Sequence, residues 1–164
     1  MREILFRGKR LDNGEWVEGG YRAEKVGGYI TAVSIVEHLG HGAWNNYRVD
    51  PSTVGQYTGL CDKNGKKIFE GDIVKFLRYV GKIVFEEGSF GLAIGFNDAF
   101  DWDYIDEEMK QFTGVGQSTA CFNNHFISLW EILWNCNCDH NDCDVVEVIG
   151  NIHDNPELLE VSHE

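Results

Sequence analysis

The densest cluster of reactive side chains lies in Cys136-Asn-Cys138-Asp-His140-Asn-Asp-Cys143. Three thiols and an imidazole could supply the four ligands of a tetrahedral zinc ion. The spacing argues against it. A structural zinc site gains folding energy by joining two close ligands to two distant ones, whereas here all four sit within eight residues. The segment therefore reads as a polar loop with reduced cysteines, and no metal ligand is assigned. Glu70-Gly71-Asp72 places two carboxylates close enough to split their pKa values, as acid–base pairs do. The glycine between them and the apolar runs on either side suit a turn feeding a strand better.

Other patterns fail on chemistry. His38-Leu-Gly-His41 has no general-base Glu and a glycine inside, so both histidines read as loop residues. Asp101 and Asp103 begin like a calcium loop, but Asp106 stands where the sharp turn needs glycine. Gly114-Val-Gly-Gln-Ser-Thr has no third glycine and no Lys before its hydroxyls, unlike a phosphate loop. There is no Gly-x-Ser-x-Gly elbow. Trp102 and Tyr104 lie among Asp98, Asp101, Asp103, Asp106, Glu107 and Glu108. Aromatics with spaced acids can imitate a nucleic-acid backbone. The favoured reading is an insertion whose aromatics fold back on the core. No catalytic residue, cofactor or metal is expected, and the chain reads as a non-enzyme.

The elements that must position these residues are short. Glycine is frequent, at 19 of 164 residues, and proline is rare, at two, so turns rather than breaks punctuate the chain. Ile4–Phe6 and Trp16-Val17 flank Asn13-Gly14, a hairpin signal. Tyr21–Val26 reads as a strand. Tyr29–Leu39 is rich in β-branched residues and favours one too. Residues 40–50 read as loop. Lys67–Phe76, Lys82–Phe85 and Phe90–Phe96 read as strands and turns of a small barrel. Residues 97–108 read as loop with at most one helical turn. Phe126–Trp134 has helical spacing, Val145–Ile149 reads as a strand, and Pro156 opens a short terminal helix. No 20–50-residue repeat is present.

Charge is unevenly spread. The total is −13, but residues 1–82 carry 13 basic and 10 acidic side chains, whereas residues 83–164 carry one basic and 17 acidic. Phosphate neutralisation needs the opposite sign, so direct nucleic-acid binding is not expected. An acidic surface suits solubility or a partner with a basic surface. Five cysteines, an odd number, suggest reduced thiols rather than a disulfide framework. No apolar run reaches a membrane span, and the first ten residues lack a signal-peptide apolar region. The expected compartment is the cytoplasm.

Three blocks carry a family resemblance. They are Ile4-Leu-Phe-Arg-Gly-Lys-Arg10 with Gly14-Glu-Trp-Val-Glu-Gly19, then Thr53 through Val74, then Glu147-Val-Ile-Gly-Asn-Ile-His-Asp-Asn-Pro-Glu-Leu-Leu159. In this order they resemble the YopX family, found in phages and prophages. The resemblance implies a mainly β fold: an SH3-like small barrel with additional strands and short helical insertions. It also implies self-association, and it supplies no catalytic residues. The expected organisation is an N-terminal β segment, 1–53, and a barrel core, 54–164, with an acidic insertion at 97–144. The expected function is that of a self-associating, protein-binding accessory protein. The alternatives are an acidic decoy that binds a basic host DNA-binding protein, and a zinc-binding protein or metalloenzyme using Cys136, Cys138, His140 and Cys143; a host or phage protein with a basic surface is the partner expected besides a second copy.

Overall fold

The computed structural model describes residues 3–86, 88–95, 98–113, 125–136, 142–143 and 145–160, with backbone only at 111–113, 134–136 and 142–143. The chain divides into two compact units, Met1–Gly59 and Leu60–Glu164.

The first unit is a twisted antiparallel ribbon. Its strands are β1 (Phe6–Lys9), β2 (Trp16–Val26), β3 (Tyr29–Gly40) and β4 (Ala43–Arg48), followed by a 3-10 turn at Pro51–Thr53 and the start of β5 (Gly55–Asp62). The strand order is β5-β1-β2-β3-β4. Between β2 and β3, Val26 faces Tyr29 across a two-residue turn in which Gly27 and Gly28 take φ of +58° and +87°. That is the primed geometry whose twist matches the strands, and glycine takes it without a Cβ penalty. The β3–β4 turn repeats the device with His41 and Gly42 at φ +50° and +78°.

Residues 40–50 are therefore not loop. The chain reverses at once into β4, whose Asn45 and Asn46 mask the strand because both of its faces are largely wet. The core of this unit is small. Val33, Ile35 and Val49 are buried, with Phe6, Val17 and Val54 packed against them. Asp50 caps the 3-10 turn by accepting the Ser52 N–H at 2.9 Å.

In the second unit the end of β5 pairs with β6 (Lys67–Phe69) and, in parallel, with β11 (Asp142–Cys143). The main element is a five-stranded antiparallel sheet. It is built from β7 (Asp72–Phe76), β8 (Tyr79–Glu86), β9 (Ser89–Ala93), β10 (Phe126–Ser128) and β12 (Val146–Asn151), in the order β10-β9-β8-β7-β12. Two helices, α1 (Trp102–Thr113) and α2 (Leu129–Cys136), complete the unit with a 3-10 turn at Pro156–Leu159.

The molecule is thus mainly β with short helices, as expected. Among the described residues the five strands stay open, with β10 and β12 as the end strands, rather than closing into a barrel. Helical side chains fill the core instead: Ile105 and Met109 from α1, and Leu129 and Ile132 from α2, pack with Val74, Phe76, Ile83 and Leu92. Gly91 makes room for this packing, because a Cβ there would strike the Phe126 ring.

Two further readings change. Helix α1 spans 12 residues where loop is expected, because its carboxylates alternate with buried Ile105 and Met109 at helical spacing. The segment from Phe126 begins as a strand paired to β9 and becomes helical only at Leu129. Among the described residues no helix is long and apolar enough to cross a membrane.

Candidate functional site

Of the two carboxylates in Glu70-Gly71-Asp72, that of Asp72 serves the backbone. Asp72 is 1% exposed, and its Oδ2 accepts the Phe69 N–H at 2.8 Å. Gly71 donates to the Ile83 carbonyl and accepts from Ile152, both at 2.9 Å. Glu70-Gly71-Asp72 is therefore a tied turn between β6 and β7.

A third carboxylate, in the polar stretch Asp62-Lys-Asn-Gly65, is more deeply engaged. Asp62 is 1% exposed. Its Oδ1 accepts the Asn64 and Lys66 N–H groups at 2.8 and 2.9 Å, and its Oδ2 accepts the Val148 N–H of β12 at 2.9 Å. Burial alone would push this carboxyl up. The N–H donors of Val148, Lys66 and Asn64 outweigh burial and hold it below the ordinary aspartate range.

The Asp101 region is a helix cap. Asp101 Oδ1 accepts the Tyr104 N–H at 3.1 Å, and Oδ2 meets Arg78 at 3.0 Å. The Tyr104 N–H first, then Arg78, lowers its pKa. Arg78 in turn lies 3.9 Å from the Tyr104 ring centroid. Trp102 and Tyr104 are half-buried and pack against the core, so the aromatics do fold back. Asp103 and Glu107 face outward.

His38 and His41 are exposed, and His38 Nδ1 accepts the Gly40 N–H at 3.2 Å next to the β3–β4 turn. The side chains of Cys136 and Cys143, all of Cys138 and His140, and residues 114–119 lie outside the described residues. Among the described residues no group of three His, Cys, Asp or Glu side chains could hold a metal ion.

What the first unit presents is surface. Among the described residues, eight of the eleven exposed large hydrophobic residues belong to it: Ile4, Leu11, Tyr21, Val26, Tyr29, Ile30, Leu39 and Trp44. Tyr29 is 80% and Trp44 67% exposed, values that no folded core explains. Beside β4 lies a cavity of about 450 Å³ lined by Arg10, Leu11, Asp12, Asn46, Tyr47 and Arg48. Its wall is stiffened by charge. Arg10 stacks 4.5 Å from the Tyr47 ring centroid while its Nε donates to Asp12 at 2.8 Å. That bond raises the Arg10 pKa and lowers that of Asp12. Nothing in the composition of the 40–50 segment points to this cavity, because it is assembled from residues more than thirty positions apart.

No curated protein matches the chain. Among solved structures, protein EF1440 from Enterococcus faecalis is similar, at 23% identity and a TM-score of 0.46, over 97% of this chain and 99% of that one. The family profile described as YopX protein matches residues 5–118, which include the first two blocks and stop short of the third. That match spans well over half the sequence, and the chain belongs to the YopX family.

Proposed function

We propose that this YopX family member is a non-enzymatic module that works by binding proteins, a second copy of itself included, as a cytoplasmic accessory protein of a phage or prophage. The observation that carries the reading is the concentration of exposed aromatic and aliphatic side chains on the first unit. A monomer rarely leaves so much apolar surface in one region unless something covers it. The engagement of Asp62 and Asp72 supports the same reading. Both buried carboxylates are committed to backbone N–H groups, so neither is poised for proton transfer. Light scattering on the purified full chain over a concentration series tests it, with a mass above one chain expected. A strict monomer that also captures no phage or host protein would sink it.

A basic partner is the second reading. It is favoured by the outward carboxylates of α1, Asp103 and Glu107, in a half of the chain with one basic and 17 acidic residues. Neutralising Asp101, Asp103, Asp106, Glu107 and Glu108 together should abolish any salt-sensitive capture of a basic protein. Undiminished capture would exclude this reading.

A further inference from the structure

The free edge of β4 is unusual. Among the described residues β4 pairs only with β3, so one side of its backbone is unsatisfied by protein. Which groups face out follows from the ladder. Val49 donates to the Val33 carbonyl at 3.1 Å, and hydrogen-bonded pairs alternate with non-bonded ones along an antiparallel ribbon. Counting back through Ser34↔Arg48, Ile35↔Tyr47, Val36↔Asn46 and His38↔Trp44, the N–H and C=O groups of Trp44, Asn46 and Arg48 point away from β3. The Arg48 carbonyl is already taken by the Leu11 N–H at 3.0 Å. Trp44 and Asn46 remain open.

Edges of this kind are normally blunted by Lys, Pro or covering chain. The strand Ala-Trp-Asn-Asn-Tyr-Arg has no Lys and no Pro, and cover from the Leu11 segment reaches only its last residue. It also carries a projecting indole and, two residues further on, the rim of the cavity lined by Asn46, Tyr47, Arg10 and Leu11.

We infer that two copies of the chain join through β4, edge to edge and antiparallel, with Trp44 of each copy laid on Asn46 and Arg48 at the rim of the other's cavity. This rests on the self-association reading and names the surface that performs it. Two-fold symmetry restricts the register. The paired residues must lie on the same face, so the axis passes through a residue and not between two. Centring it on Asn45 sets Trp44 opposite Asn46 of the second copy in both directions. The four open backbone groups of each strand then bond one another. This register carries each indole to the rim of the opposite cavity. The indole would lie over Asn46 and the Arg48 side chain of the second copy, on the face they share, a setting suited to an aromatic anchor.

Charge selects a second copy as the occupant. The whole chain carries −13, so most surfaces of two copies repel. Residues 1–59 carry seven basic and seven acidic side chains and have no net charge. The edge itself mixes Arg10 and Arg48 with Asp12 and Glu37. A strongly basic or acidic partner gains nothing there, whereas an identical neutral surface meets no penalty.

Sedimentation of the full-length chain tests the inference. Trp44→Lys should raise the dimer dissociation constant about 30-fold or more, the effect of losing an aromatic hot spot. Trp130→Lys, at another strongly exposed tryptophan, should leave it unchanged. Asn45→Cys supplies a second measurement that does not depend on the Trp44 variant folding. Facing residues on the axis have Cα atoms about 4.5 Å apart, within disulfide reach. Mild oxidation should therefore trap a covalent dimer that neither the unmodified chain nor Thr31→Cys yields. A chain monomeric at every concentration overturns this inference and the self-association reading together. A dimer indifferent to Trp44→Lys, or one that Asn45→Cys does not trap, overturns the edge alone and leaves self-association standing.

Discussion

Asp62 shows how a single carboxylate can stand in for a strand. Its two oxygens close the turn at Asn64 and Lys66 and hold the outer edge of β12 at Val148, 86 residues downstream. Asp62→Ala should destabilise the protein by about 3 kcal/mol, since it leaves buried N–H groups unpaired that had a charged acceptor. Urea denaturation measures this, and a loss below about 1 kcal/mol would contradict the assigned role. The pH dependence has a definite sign. The folded-state pKa is lowered, so the unfolded chain binds the proton first as pH falls. The stabilisation is complete above the unfolded value of about 3.9 and is lost as pH drops through the folded one. The stability gap between the unmodified chain and Asp62→Asn should therefore shrink on acidification below about pH 4. A gap that widens there would refute the account. The Asp-Lys-Asn-Gly sequence announces the turn, because Asp and Asn bond their own backbone locally. The tie to β12 is invisible locally, since its donor is set only when the sheet assembles.

At the scale of elements, α1 is held at its start by Asp101, which caps the Tyr104 N–H and binds Arg78. Asp101→Ala should lower the thermal midpoint, and Asp101→Asn, which keeps the cap, clearly less. Equal losses for the two substitutions would mean that the cap contributes little. Gly91→Ala offers a sharper probe of the sheet. Its methyl would strike the Phe126 ring, and overpacking of this kind costs about 1–3 kcal/mol. An unchanged thermal midpoint would show that β10 shifts freely. The strands with strong β-branched content, β3 above all, were legible before folding is considered. Helix α1 was obscured because its carboxylates mimic a solvated loop, and β4 because an edge strand needs only a thin apolar signal.

Over the whole molecule, charge separates the two units. Residues 60–164 hold seven basic and twenty acidic side chains, against an even balance in residues 1–59. Self-repulsion in the second unit should make the chain gain thermal stability as salt is raised from low levels to about 0.15 M, where the Debye length falls to about 8 Å. Calorimetry showing a lower midpoint with added sodium chloride would contradict this.

The sequence by itself determined the mainly β class, the family blocks and the acidic half, because periodicity, turn chemistry and net charge are local or additive. Tertiary structure alone decided that the five-stranded sheet stays open over α1 and α2, that Asp62 ties β12, and that Arg10 and Leu11 meet β4 around a cavity. Each of these joins residues far apart in the chain. Such pairings arise only when strands choose their neighbours and a buried polar group finds the partner that lets it stay buried.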